Sequence, residues 1–229
     1  MPSLAASAAE RYPGAPERVA FAISRTTAES RLEELNADLA EAGYSTVSGL
    51  ASGFGAEIAV HFDRFRVFAG VDGIFGEREA SRGGAALTLE HRRLSLGLGY
   101  ALFRGSHFSL LPRLGLGTTD LLLDVEASQS PLFRAELANA EGRVELAQGL
   151  ISFDAGVHAE AWVPVLRDSD DHMTLGAFVA LNAGYALKLN DPEWRARNLD
   201  LGDLGREPVS GADGVYSRFL LGVVFSPSY

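Results

Sequence analysis

Residues 94–117, LSLGLGYALFRGSHFSLLPRLGLG, restrict what this chain can become more than any other stretch. Leu94, Leu96, Leu98, Tyr100 and Leu102 share one parity, while Ser95, Gly97, Gly99, Ala101 and Phe103 share the other. After Arg104-Gly105-Ser106-His107 the alternation resumes, with Phe108, Leu110, Pro112, Leu114 and Leu116 on one side. Ser109, Leu111, Arg113, Gly115 and Gly117 lie opposite. A period of two on both sides of a tight turn is a β-hairpin. One of its faces is a continuous band of leucine and aromatic residues; the other carries glycine, serine and arginine. The first suits hydrocarbon, the second a crowded or wet lumen.

Composition agrees with strands in a membrane. Hydrophobic residues make up 47% of the 229, yet there is no apolar run of the ~18 that a spanning helix requires. A spanning strand needs only about 9–11 residues, every second one apolar. Twenty-five glycines allow inward side chains to pack, and the absence of cysteine suits an oxidising compartment. The net charge of −10, with scattered basic residues, argues against a nucleic-acid partner. Ala6-Ser7-Ala8 has the small-x-small form of a signal-peptidase site but lacks a preceding charged and apolar leader. A truncated start and a chance match both account for it.

Along the chain, residues 1–16 form a lead, and a short first strand at 18–24 presents Val19, Phe21 and Ile23 on one face. Thr26 and Glu29 then have capping-box spacing, Ala28, Leu32, Leu35, Leu39 and Ala42 follow at helical intervals, and Gly43 offers a stop. This predicts a short helix inside the first long loop. A strand at 53–63 turns at Asp63-Arg64 into one carrying Phe65, Val67, Ala69, Val71 and Phe75. After a polar loop at 77–84, a strand begins near Ala85; its parity slips at 90–93, where a bulge is expected. Parity slips again at 118–120 before Leu121, Leu123 and Val125 and a loop at 127–141. The odd residues from Ile151 to Val165 and from Met173 to Leu187 line two more strands, joined by an acidic turn at 167–171. A long loop at 190–213 holds Trp194, and the last strand carries Val215, Phe219, Leu221, Val223, Phe225 and Tyr229.

The count is eight strands, with long and short connections in strict alternation. That asymmetry predicts an all-β, eight-stranded antiparallel up-and-down transmembrane β-barrel over 17–229, with short turns and both termini in the periplasm. A soluble up-and-down barrel of the lipocalin type would have the opposite parity, apolar inside.

Over residues 18–229 the chain resembles the small eight-stranded outer-membrane barrels of the OmpA and OmpX type. The terminal strand VYSRFLLGVVFSPSY resembles the signal those proteins present to the barrel-assembly machinery, with Pro227 and a final Tyr229 in place of phenylalanine as departures. The resemblance implies the bacterial outer membrane and contact with its lipid, and it carries no residue-level functional motif. Aromatic positions fit two interfacial girdles: Phe62, Phe65, Tyr100 and Phe108 near the short turns, Phe75, Phe153 and Tyr185 about ten residues higher.

The inward parity gathers Glu57, His61, Arg66, Asp72, Arg113, Asp154, His158, Glu160 and Arg218. Counting from the turns puts Glu57, Asp72, Arg113, His158 and Glu160 at similar depth. An eight-stranded barrel is only wide enough for its own side chains, so these groups are expected to pair into a polar network that closes the lumen rather than to line an ion path. Ligand spacing gives no metal site, and no catalytic or cofactor-binding residue is assigned. The function expected is non-enzymatic: envelope integrity, or an interaction role with a protein partner at the long loops. The alternative, a lipid A deacylase-like enzyme, would draw on His91, Ser81 and Glu90; a soluble carrier is the third reading.

Overall fold

The computed structural model describes residues 17–33, 36–37, 40, 46–76, 79–80, 86–127, 142–167, 173–190, 195–196 and 213–227. Among these, eight long strands form one antiparallel sheet: β1 (Arg18–Ser30), β2 (Leu50–Phe62), β3 (Phe65–Gly76), β4 (Ala86–Tyr100), β5 (Phe108–Ala127), β6 (Gly142–Arg167), β7 (Met173–Lys188) and β8 (Gly214–Pro227). Each pairs with its neighbour in sequence, and β8 returns to pair with β1 from Val19↔Phe225 to Ser30↔Gly214. The sheet therefore closes, which leaves no open edge to be satisfied in lipid. Two-residue ladders at Glu79–Ala80, Phe103–Arg104 and Arg195–Ala196 extend it locally.

Register fixes the shape. From Val60 the paired residues run Val67, Leu98, Leu114, Ala155, Tyr185, Val215 and Glu29, and the circuit re-enters β2 at Leu50. The displacement, 60 minus 50, is ten residues. Eight strands with that stagger tilt by about 40°, each residue then rising roughly 2.5 Å along the axis and each registered neighbour about 3 Å. The tightest turn is Asp63-Arg64, closed by the Phe62↔Phe65 pair, with Asp63 at a φ of 49° as a two-residue hairpin of this kind requires.

Parity in space is the one the hairpin predicts. Leu98, Val179 and Leu221 face outward and are about half exposed, whereas Glu57 and Arg113 are 4% and 3% exposed inside the barrel. Leu96 is 61% exposed, and a Cβ on its neighbour Gly97 would strike the Phe68 ring and the Leu114 carbonyl. A soluble carrier with an apolar interior is excluded by this arrangement. Phe65 packs edge-on to Tyr100 at 5.3 Å, Phe103 lies 5.9 Å from Phe108, and Phe21 lies 6.1 Å from Phe225, so the turn-side girdle is built of aromatic pairs.

Several boundaries differ from the sequence reading. β1 continues through Ser30, so the residues of the capping box are strand and Thr26 points into the lumen. Pairing with both β2 and β8 outweighs the local helical spacing there. In the first long loop Glu33, Asn36, Ala37 and Ala40 are helical, and the Asn36 N–H donates to the Leu32 carbonyl at 2.8 Å; 34–35, 38–39 and 41–45, including Leu35, Leu39, Ala42 and Gly43, lie outside the described residues. So do residues 1–16 with Ala6-Ser7-Ala8, Ser81, Trp194 and Tyr229.

The two parity slips are not bulges. Pairing runs without a shift from Phe65↔Tyr100 to Phe75↔Glu90 and from Ala86↔Glu126 to Gly99↔Arg113. What changes is the side-chain pattern. At the loop end Ile74, Leu89, Leu121, Leu123 and Leu150 turn inward, each at most 3% exposed, while Arg92, Thr118 and Asp120 face out. The sheet has there left the apolar belt, and its parity becomes that of a soluble barrel. The irregularity that does occur is a register shift between Pro164 and Leu166 against β7, where proline removes a ladder donor.

Candidate functional site

Inward-facing polar groups on all eight strands meet in the lumen. Glu57 on β2 accepts from Arg66 Nη2 at 2.6 Å and Arg218 Nη1 at 2.8 Å, and Arg113 Nη1 stands 3.6 Å away. Three strands thus aim guanidinium groups at one carboxylate, which is why that buried charge is tolerated. Arg218 also reaches Asp72, its Nε 3.2 Å from Oδ1, and donates from Nη2 to Ser24 Oγ at 3.1 Å. Thr26 Oγ1 donates to Asp72 at 2.7 Å.

Arg66 links this cluster to a second one. Its Nε is 3.9 Å from Glu160 Oε2, the oxygen that also faces His158 Nε2 at 3.0 Å and His61 Nε2 at 3.8 Å. The other ring nitrogen of His158 bonds Asn182, which is fully buried. Asp154 stands apart, paired with Arg93 on β4.

The structure brings together Glu57, His61, Arg66, Asp72, Arg113, His158, Glu160 and Arg218 in one connected chain and leaves Asp154 in a separate pair. Sequence reading missed Arg93 because its parity falls in the apparent slip at 90–93; continuous pairing of Arg93 with Asp72 and Thr119 restores it to the inward face. It also missed how much of the lumen is apolar. Phe68 lies under Arg113, whose Cζ is 3.7 Å from the ring centre, and it joins Phe178, Leu220, Val224 and four alanines in a buried cluster closed by Trp162. Arg18 covers Trp162 at 4.3 Å, near the Arg104–Glu17 ion pair on the turn side.

Four carboxylates (Glu57, Asp72, Asp154, Glu160) face four guanidiniums (Arg66, Arg93, Arg113, Arg218), so these ion-paired groups are balanced in formal charge. Above it a cavity of about 30 Å³, bordered by Ile74, His91, Arg93, Thr119 and Tyr216, is about the size of one water. His91 and Glu90 do not pair as the enzymatic alternative would require: His91 is buried inward, while Glu90 points outward to Arg92 at 3.3 Å, as strand alternation demands of adjacent residues, and Ser81 lies outside the described residues. His61, His158 and Glu160 converge, but no group of three ligating side chains suited to a metal ion occurs among the described residues.

No protein-family model and no curated protein matches the chain. Three solved structures are similar to it in architecture. The attachment invasion locus protein Ail of Yersinia pestis is 12% identical, with 93% of this chain and 99% of that chain covered and a TM-score of 0.40. Neisserial surface protein A is 14% identical over 92% and 96%, at 0.35. A major outer membrane protein from Thermus thermophilus is 12% identical over 90% and 98%, at 0.43. Closure, stagger and side-chain parity carry the assignment by themselves. A closed eight-stranded sheet with lipid-facing leucines, aromatic girdles and a filled polar lumen is a transmembrane barrel, and this chain is an outer-membrane β-barrel.

Proposed function

We propose that the protein is a non-enzymatic envelope component whose closed barrel holds its loop-side surface rigidly for a protein partner. The observation that carries this reading is the charge-balanced lumen. Each of its four carboxylates is engaged by a guanidinium, so none stands ready as a general base and the interior offers no polar file for ions. What remains for function is the rim. β5 and β6, with 20 and 26 residues, are far longer than the ~9–11 that a membrane crossing needs, so their loop-side ends at Ala127 and Gly142 stand well above the belt. A scaffold that extends this much strand outside the bilayer is built to present something.

Two measurements test the reading. Cells lacking the protein, complemented with the full chain or with residues 128–141 and 197–212 replaced by short Gly-Ser linkers, are compared for susceptibility to large antibiotics. The trimmed chain is expected to restore the barrier yet lose the partner-dependent phenotype; full restoration of both removes the role of the loops. Mass spectrometry of lipid A from the same strains should show the same acyl content with and without the protein. A missing acyl chain that depends on the protein would replace the scaffold with a lipid-modifying enzyme.

A further inference from the structure

On the outward face of β1, one charged side chain interrupts the apolar belt. Arg25 is flanked in register by Phe219 on β8 and Phe54 on β2, which are 52% and 72% exposed. The row beneath it is Leu221, Ile23 and Ala56, all lipid-facing. The row above is Ser217, Thr27 and Ser52, a polar shelf across the same three strands. By the tilt of the sheet, Arg25 stands only about 3 Å below Phe54, and its long side chain can lift its guanidinium to the loop-side interface. Among the described residues no carboxylate answers it, and Arg25 has no ion pair or hydrogen bond with them.

Below and beside Arg25 the apolar surface is hollowed. A groove of about 610 Å³ crosses β8, β1, β2, β3 and β4, with Ala56 and Ala69 on its floor between Ile23, Ile58, Val71 and Leu94. That volume lies in the ~300–1,000 Å³ range of ligand clefts. In a bilayer such a hollow is filled by an acyl chain. A cation one row above its lining, paired with no described residue and with hydroxyls beside it, selects a lipid whose headgroup presents phosphate at that height.

We propose that Arg25, with Ser217, Thr27 and Ser52, binds the phosphate of an outer-leaflet lipid of the lipid A type, one of whose acyl chains lies in the groove floored by Ala56 and Ala69. The commitment to this lipid rests on position: the cation is at the loop-side interface, where the outer-leaflet phosphates stand. The site depends on the membrane placement of the barrel and not on what the loops bind.

The test uses the full chain folded in zwitterionic detergent, with each variant's fold checked by its heat-dependent gel migration. Native mass spectrometry follows titration with diphosphoryl lipid A, its dephosphorylated form and phosphatidylglycerol. Diphosphoryl lipid A should bind saturably at one per barrel. Arg25→Gln should weaken it roughly tenfold, the size of one charge-assisted hydrogen bond, and Arg25→Lys much less. Ala69→Phe, which fills the groove, should weaken the phosphorylated and dephosphorylated forms alike. Unchanged binding in Arg25→Gln, or equal binding of the dephosphorylated lipid, overturns the phosphate site. Phosphatidylglycerol binding as well as lipid A, equally dependent on Arg25, overturns the choice of lipid.

Discussion

Glu57 is the residue on which the lumen turns, because three guanidiniums share its two oxygens. Glu57→Gln keeps the shape and removes the charge, leaving Arg66, Arg113 and Arg218 with too few counter-ions. It should destabilise the barrel by about 3–5 kcal/mol, read as a lower urea midpoint for unfolding in detergent. Asp154→Asn strips only Arg93 of its partner and should cost clearly less. Gly97 provides a second measure. Its hydrogen is what lets Phe68 lie across the lumen against Arg113, so Gly97→Ala should cost about 1–3 kcal/mol through overpacking; an unchanged midpoint would show that Phe68 can move aside. Glu57 and Arg113 were legible as inward polar residues from parity alone. That they meet was not, since contact across the lumen depends on how eight strands are staggered.

At the scale of single strands, β4 and β5 show where the bilayer ends. Leu98 pairs with Val67 and Leu114 in the middle of the apolar belt, while Thr118 on β5 pairs with Leu94 and Ile151 at its upper margin. Leu98→Arg should therefore cost about 2–4 kcal/mol of folding stability in lipid vesicles and Thr118→Arg only about 0–1. Equal costs would mean that the belt is set at the wrong height. The same strands explain why the sequence misled at 90–93 and 118–120. A change in pattern from lipid-facing leucine to inward-facing leucine reads as a slip of one residue, although the backbone never slips. Crossing from hydrocarbon to water reverses which face should be apolar, and a one-dimensional alternation cannot distinguish that from a bulge. The register shift at Pro164 was hidden for the opposite reason, because Val163 and Val165 keep an unbroken apolar alternation through it.

For the whole molecule the stagger of ten residues and the filled lumen predict a closed barrel. In planar bilayers the full chain should give no steady conductance above leak, and a stable open level would sink the charge-balanced plug. The protein should need detergent for extraction and should migrate differently on gels before and after heating, since the closed sheet resists unfolding until boiled. Partial proteolysis of folded protein in vesicles should leave a fragment set bounded by the eight strands.

The eight strands, their order, the greasy face and the membrane placement were all written in the alternation of residues, because a strand in lipid must turn every second side chain outward whatever its neighbours do. Three things waited for the closed sheet. One was the extension of β1 through residues that, taken locally, favour a helix. Another was the pairing of Arg93 with Asp154. The third was the placing of Arg25 between two phenylalanines, one row above a groove. Each depends on which residue of a distant strand lies alongside, and that is settled by the stagger with which the first and last strands join.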